Sequence, residues 1–370
     1  MKILDKIKNS IYYIAFSLLV IVNTLLKSVL IQPPVLFFQV TYVLITILFL
    51  VKIILDKPNI KESIIYVILL ILMIYLYYIT RNKFLVLNLL AFISIKNIDI
   101  KKIIKIDIII KLLFILSHSI FYFYDYIFNN NNILELIHTS SKGTSLYLYF
   151  INPNFTSYLV FAIVFDYLFL QEKINIKKII ICTLLIIITF IITRSRTPFI
   201  MYLLLLLFYL IKNKKLINCI YYSSYIILSF ISLYFLKFSF HTPIYYKLND
   251  LLSGRFGYPR LAFEEIGLSL IPSSSSMQIY GKYIVDNFYD MCFLFLGVIT
   301  LLIYLVPIIM TPKKGFEKEK KFIIICIIYL FFETLTIKIG VSIFLLLIAN
   351  IIYNRKGEVK NESNSYSSNI

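Results

Sequence analysis

Residues 177–215 read KKIIICTLLIIITFIITRSRTPFIMYLLLLLFYLIKNKK, and this stretch decides the fold. Two apolar runs, 179–193 and 197–211, meet at the turn Arg194-Ser195-Arg196-Thr197-Pro198. Ile and Leu come in blocks rather than in alternation, which excludes the dyad pattern of a membrane barrel. In lipid such a run satisfies its backbone groups within itself, as a helix. So tight a turn returns the second helix antiparallel to the first. Lys177 and Lys178 stand at one far end of this hairpin, and Lys212, Lys214 and Lys215 at the other. Short loops rich in Lys face the cytoplasm, so the arginine turn faces out.

The same pattern repeats outward in both directions. Of the 370 residues, 60% are hydrophobic, whereas an ordinary soluble domain is roughly half apolar. Spans are read near 11–30, 35–55, 63–80, 84–95, 106–126, 155–170, 179–193, 197–211, 217–236, 287–309, 322–337 and 341–353. A span needs roughly 20 residues, so the fourth and twelfth tilt, extend into their flanks or re-enter. The expected fold is an all-α, polytopic helical bundle of about twelve transmembrane helices. It forms a single transmembrane domain over 1–356, with long outer loops at about 127–154 and 237–286. A polar, Ser/Asn-rich cytoplasmic tail follows at 357–370 and is expected to be disordered. The first apolar run lacks a small-residue cleavage site and is long enough to stay as an anchor.

The net charge of +18 points to nucleic acid only in a soluble domain. Here the cations follow loop alternation. With the N-terminus inside, the inner segments carry Lys2, Lys6 and Lys8, then Lys52, Lys57 and Lys61, then Lys96, Lys101, Lys102 and Lys105. Further inner clusters surround Lys173, Lys212 and Lys313, and Arg355 lies in the tail. Both termini are therefore expected in the cytoplasm. The four cysteines, Cys182, Cys219, Cys292 and Cys326, lie in or beside apolar runs with no metal-ligand spacing and read as inert thiols.

Arginine follows a different rule. Arg194, Arg196, Arg255 and Arg260 all fall on the outer side, where the positive-inside bias does not place them. Their planar fork binds phosphate bidentately, so an anionic ligand is expected there. The bland reading of Arg194 and Arg196 is an interfacial anchor snorkelling to headgroups. Thr197 is read as the cap of the following helix, with Pro198 at its first position. Arg255 and Arg260 sit in the second long loop, beside Gly254 and the carboxylates Glu264 and Glu265; residues 258–271 have the spacing of a short amphipathic helix. Structural pairing is the commoner fate of such carboxylates, and general-base work the sharper one. Asp286-Asn287 opens a span, with Asp286 read as a cap or a proton acceptor. Asn152-Pro153-Asn154 opens another, with Asn154 as its cap and an amide role toward sugar compatible with that. Asp166 and Glu333 lie within spans, where a carboxylate is a functional candidate or pairs with another helix. His138 and His241 are outer histidines, and a lone histidine is more often structural than catalytic. No zinc spacing, phosphate-binding Gly-rich loop, nucleophile elbow or dinucleotide fingerprint is present.

Taken in order, several of these motifs carry a resemblance. They are Lys96-Asn97-Ile98-Asp99 after a short span, Asn152-Pro153-Asn154, Arg194-Ser195-Arg196-Thr197, Ser253-Gly254-Arg255, Asp286-Asn287-Phe288-Tyr289 with Gly297, and Phe331-Phe332-Glu333. Over roughly residues 60–345 the chain resembles the Wzy-type polysaccharide polymerases of the O-antigen polymerase and ligase superfamily. It departs at Lys142-Gly143-Thr144-Ser145-Leu146, where no Gly follows Leu, and at Thr197, where glycine is common. The resemblance implies a GT-C-like bundle in the bacterial plasma membrane that joins oligosaccharide repeat units carried on undecaprenyl diphosphate. It implies Arg194, Arg196, Arg255 and Arg260 on the diphosphate, and Lys142, Asn152, Asn154 and Asn287 on substrate. The base stays open among His138, His241, Glu264, Glu265 and Asp286. No metal and no other cofactor is required, because diphosphate is already a good leaving group. The implied partners are the lipid-linked oligosaccharide, membrane lipid, a flippase and a chain-length regulator, with no nucleic acid. The alternatives are a lipid-linked sugar flippase or transporter, a ligase-type transferase, and a different membrane glycosyltransferase. A transporter would favour polar groups at mid-membrane and spans broken by Gly or Pro.

Overall fold

The computed structural model describes residues 2–128, 137–140, 143–237, 242–251, 254–279 and 282–354. It is 78% helical, and strand among the described residues is confined to one antiparallel hairpin, β1 (Ile137–Ser140) with β2 (Gly143–Leu146). The all-α expectation therefore stands. The tail expected at 357–370, together with His241 and Lys142, lies outside the described residues. The chain forms two compact units, Met1–Leu55 with Ile98–Leu210 and Ile339–Ile343, and Asp56–Asn97 with Ile211–Lys338 and Phe344–Ile370.

The first unit holds α1 (Lys2–Leu25), α2 (Val35–Leu55), α5 (Ile100–Phe128), α6 (Pro153–Leu170), α7 (Ile176–Thr193) and α8 (Arg196–Leu210). Between lipid-facing helices there is no hydrophobic drive, so packing and polar contacts hold them together. Tyr12 and Phe49 meet at 5.5 Å between α1 and α2. Tyr42 donates to Asn23 Oδ1 at 3.0 Å, and Asn23 Nδ2 donates to the carbonyl of Ile339 at 2.9 Å. Gly340, at φ +87°, lets that backbone approach, since a Cβ there would lie 2.8 Å from Asn23 Nδ2. Between α5 and α6 lies a buried ionic group. Lys111 pairs with Asp107 one turn away and has Asp166 at 3.9 Å, with all three side chains at most 2% exposed. Asp166, an intramembrane candidate in the sequence, is thus part of an inter-helix charge cluster.

The second unit holds α3 (Ile60–Thr80), α4 (Lys83–Ser94), α9 (Lys214–Lys237), α10 (Pro243–Leu251), α11 (Gly257–Ile266), α12 (Ser274–Ile279), α13 (Phe288–Met291), α14 (Val298–Met310), α15 (Glu317–Leu330) and α16 (Phe344–Asn354). The amphipathic helix expected over 258–271 is α11, which ends five residues earlier, at Ile266, because Gly267 at φ +68° terminates it. Lys320, in the inner lysine cluster around Lys313, is buried and donates to Asn218 and the carbonyls of Pro312 and Lys313. That anchors the start of α15 to the start of α9.

Among the described residues six helices are long and apolar enough to cross a membrane: Ile3–Leu25, Val35–Leu55, Ile60–Thr80, Pro153–Leu170, Ile176–Thr193 and Lys214–Lys237. Their outward surfaces are apolar in a way water does not favour. Ile64, Ile65, Ile68 and Ile71 of α3 are all more than half exposed, as are Ile180, Ile181 and Leu184 of α7. Lipid is the solvent such faces suit.

Two expected spans are not single helices. Residues 287–309 divide into α13, a π-turn at Cys292–Leu296, and α14. The break falls at Gly297, φ +79°. Its Cβ position is occupied by the loop before it, with Leu270 O, Ile271 Cα and Pro272 Cδ all within 2.9 Å. That loop supplies the hydrogen bonds the helix gives up: Ser269 N–H donates to Phe293 O, Val298 N–H to Ser269 O and Ile299 N–H to Leu270 O, at 2.8 to 3.2 Å. Irregular backbone within so apolar a stretch persists because protein satisfies it. Likewise the expected 322–337 span stops at Leu330, and a turn with a 3₁₀ segment, Thr334–Ile337, follows.

Candidate functional site

Three sequence-distant residues of the second unit come together: Arg255, Asp286 and Glu333. The turn carrying Arg255 is set from α10, where Asn249 Oδ1 accepts the N–H groups of Phe256 at 3.1 Å and Gly257 at 2.8 Å. Gly254, φ +84°, supplies the left-handed step. Phe256 then stacks on Phe235 at 4.3 Å and meets Phe331 edge-on, which fixes the direction of its neighbour. Arg255 donates from Nη1 to Phe332 O at 3.0 Å and from Nη2 to Glu333 Oε1 at 2.9 Å, and its Nε lies 3.9 Å from Asp286 Oδ2. The Glu333 side chain is 7% exposed and that of Asp286 is 46% exposed. Breaking α15 after Leu330 is what delivers Glu333 here. One cation thus spans a buried and an open carboxylate.

Behind Asp286 the packing is polar. Asn287, and not Asp286, caps α13 by accepting the N–H of Tyr289 at 2.9 Å. Its Nδ2 donates to Ser232 Oγ, and Ser232 in turn donates to Asp290. Asn287 is buried, so the structure places it in the wall of the site. Asp290, unremarked in the sequence, is buried there too.

The other candidates are elsewhere. Arg260 pairs with Glu264 at 3.0 Å and donates to the carbonyls of Leu236 and Lys237, closing the C-terminal end of α9. Glu265 accepts from Lys282 and Tyr283, whose hydrogen bonds hold its carboxyl below its ordinary value and make it a weaker base. In the first unit, Arg194 ends α7 in the left-handed conformation at φ 54°, and α8 begins at Arg196, so Thr197 lies inside the helix rather than capping it. Both arginines are exposed around a buried Ser195. Asn152 caps α6 by accepting the N–H of Phe155, with Pro153 at the first position, which is the role expected of Asn154. His138 pairs with Ser145 in the β-hairpin. Among the described residues no group of three His, Cys, Asp or Glu side chains is placed to hold a metal.

A cavity of about 230 Å³ in the second unit is lined by Arg81, Lys83 and Lys338, and no carboxylate is among its lining residues. Arg81 was the signal available: like Arg194, it ends a helix at an expected outer turn.

No family model matches the chain, and neither the curated proteins nor the solved structures include a match to it.

Proposed function

We propose that the chain is a repeat-unit polysaccharide polymerase of the bacterial plasma membrane, crossing it about twelve times with both termini in the cytoplasm. The observation that carries this reading is the half-open Asp286, oriented by Arg255, which Glu333 holds from below. In the reaction, Asp286 takes the proton of an acceptor hydroxyl on one lipid-linked unit. The hydroxyl oxygen bonds to the anomeric carbon of the growing chain, and the bond from that carbon to its lipid diphosphate breaks. The electron pair leaves on the diphosphate, and outer-face cations stabilise it. Arg255 acts as a positioning residue, because its fork is engaged by Glu333 and Phe332. This shifts it from the direct diphosphate contact that the resemblance implies.

Asp286→Asn keeps the shape and removes the base. In vesicles supplied with one lipid-linked repeat unit, it should lower chain extension by about 10²–10⁴-fold, while insertion and melting temperature stay as in wild type. A ladder of normal length from this variant would refute the assignment.

A second reading, a lipid-linked sugar transporter, draws on two features: the buried Lys111, Asp107 and Asp166 cluster and the span broken at Gly297. The same vesicles separate the two. New glycosidic bonds favour the polymerase, and translocation without bond formation favours the transporter. Transfer to a different acceptor with no ladder would favour the ligase.

A further inference from the structure

The charges between α5 and α6 do not cancel. Asp107 and Lys111 stand one turn apart on α5, and Asp166 of α6 closes on them. Fully ionised, the triad sets two negative charges against one positive. Its side chains are at most 2% exposed. A surplus charge so far from water is costly, and a group placed there takes a counter-charge or is neutralised.

Hydrogen bonding is short as well. Among the described residues, Asp166 Oδ2 and Asp107 Oδ1 are buried with no hydrogen-bond partner. Lys111 does not supply them. Its hydrogen bond goes to the other Asp107 oxygen, Oδ2, and at 3.9 Å it is too far from Asp166 to donate. Two acceptors and one negative charge are thus left over, while the Asp107 and Asp166 carboxyls act directly on each other. A single proton answers all of this. On Asp166 it cancels the surplus charge, turns one orphan oxygen into a donor, and offers that donor to Asp107.

The neighbouring elements do not provide the missing charge. Helices α1, α7 and α8 pack against α5 or α6. Asp5 and Lys8 of α1 pair with each other, and Tyr13 has Asp99 beside it. Lys178 of α7 holds Gln171, and Tyr202 of α8 holds Thr183 and the carbonyl of Ile179. Tyr12, Cys182 and Tyr202, buried on these helices, are uncharged at neutral pH. The next buried titratable group on α5, His118, is about 10 Å further along the helix and bonded to Ser28. The charged groups acting on Asp166 are Lys111 and Asp107. A metal cation fits less well than a proton. It needs several oxygen ligands, it would lie against the Lys111 ammonium, and no third acidic, His or Cys side chain among the described residues completes a site.

We infer that Asp107, Lys111 and Asp166 form a buried proton-binding site, which holds one exchangeable proton between its two carboxyls and ties α5 to α6 while loaded. Only an O–H bond is made or broken: a proton from water adds to a carboxylate oxygen and later returns to water. Asp107 lies about 10 Å from the start of α5 and Asp166 about 6 Å from the end of α6. Both of those ends carry inner lysine clusters, at Lys101, Lys102 and Lys105 and at Lys173 and Lys177. The proton therefore exchanges with the cytoplasmic side. Unloaded, the site leaves one negative charge between the helices and loosens their contact. The inference does not depend on which reaction the chain performs.

The test compares the full-length wild type with Asp166→Asn, which keeps the shape and is neutral at every pH. In infrared spectra of the purified chains at neutral pH, wild type should show the carbonyl stretch of one protonated carboxylic acid that the variant lacks. Stability should part in the same sense. The folded wild type holds a proton that the unfolded chain releases, so its stability falls as pH rises. The folded-to-unfolded ratio, read by denaturant titration, should drop by up to about 10-fold per pH unit more in wild type than in Asp166→Asn. Asp290 and Glu333, buried in the second unit, contribute equally to both chains and cancel in the comparison. Asp107→Asn leaves one carboxylate against one ammonium and should abolish the same band, so it takes the place of Asp166→Asn if that variant does not insert. No extra band in wild type, or parallel pH profiles, would overturn the site, because a purely structural Asp166 changes stability equally at every pH. Stabilisation of the wild type by sodium ions in place of acid would overturn it in favour of a metal cation.

Discussion

Arg255 shows how far single residues could be read. Its type and its outer position marked it as an anion-binding candidate, and Glu333 and Asp286 were singled out on separate grounds. Nothing in their spacing of 31 and 78 positions along the chain, the latter as bonded in the fold, says that they meet. Pairing is a tertiary property, and it changes the expected chemistry from ligand contact to orientation of a base. The energetic consequence is testable. Arg255→Ala leaves the 7%-exposed Glu333 side chain without its partner, and removing one member of a buried pair costs about 3–5 kcal/mol. Adding Glu333→Gln should recover part of that loss, by about 0.5–3 kcal/mol of coupling. Denaturant titration of the two single variants and the double in one detergent measures this. Additive losses would mean that the pair is not coupled.

Elements were readable where one run of sequence forms one helix. The apolar runs read at 63–80, 155–170 and 179–193 became α3, α6 and α7, each beginning two or three residues earlier. Caps were misplaced by one or two residues, at Asn152 rather than Asn154 and at Asn287 rather than Asp286, because Asn and Asp cap equally well by type and only the chain's entry angle selects between neighbours. The break at Gly297 was hidden for a different reason. Its cause is the 268–272 backbone, which approaches from a loop nearly thirty residues earlier and replaces helix hydrogen bonds. Gly297→Ala should therefore be costly. It places a Cβ within 2.9 Å of backbone atoms at Leu270 and Ile271 and a left-handed φ on a residue with a side chain. A loss of at least about 1–3 kcal/mol is expected, read as a lower melting temperature. Wild-type stability in this variant would mean that the loop does not insert there.

At the scale of the molecule, charge alternation predicts sidedness. Among the described residues six helices are long and apolar enough to cross a membrane, and the further passes expected from the sequence would fall to α5 and to short helices such as α4, α8, α14 and α15. Impermeant thiol labelling of intact cells checks the orientation, with a cysteine-free background carrying one new cysteine at a time. Arg194→Cys should label from outside, whereas Lys178→Cys and Lys314→Cys should label only after lysis. The reverse pattern would invert the protein and place the proposed site in the cytoplasm.

The sequence by itself determined the solvent, the helical class and the expected direction of the chain, because each follows from local composition. Apolar length sets what can span, block rather than alternating pattern sets helix over barrel, and lysine bias sets the inner face. Only the tertiary structure decided that Arg255, Asp286 and Glu333 come together, where expected spans break, and that Asp107, Lys111 and Asp166 form one buried ionic cluster. Those outcomes depend on contacts between residues far apart in the chain. A buried charge or an inserted loop is stable only with the partner that compensates it, and residue type and spacing do not name that partner.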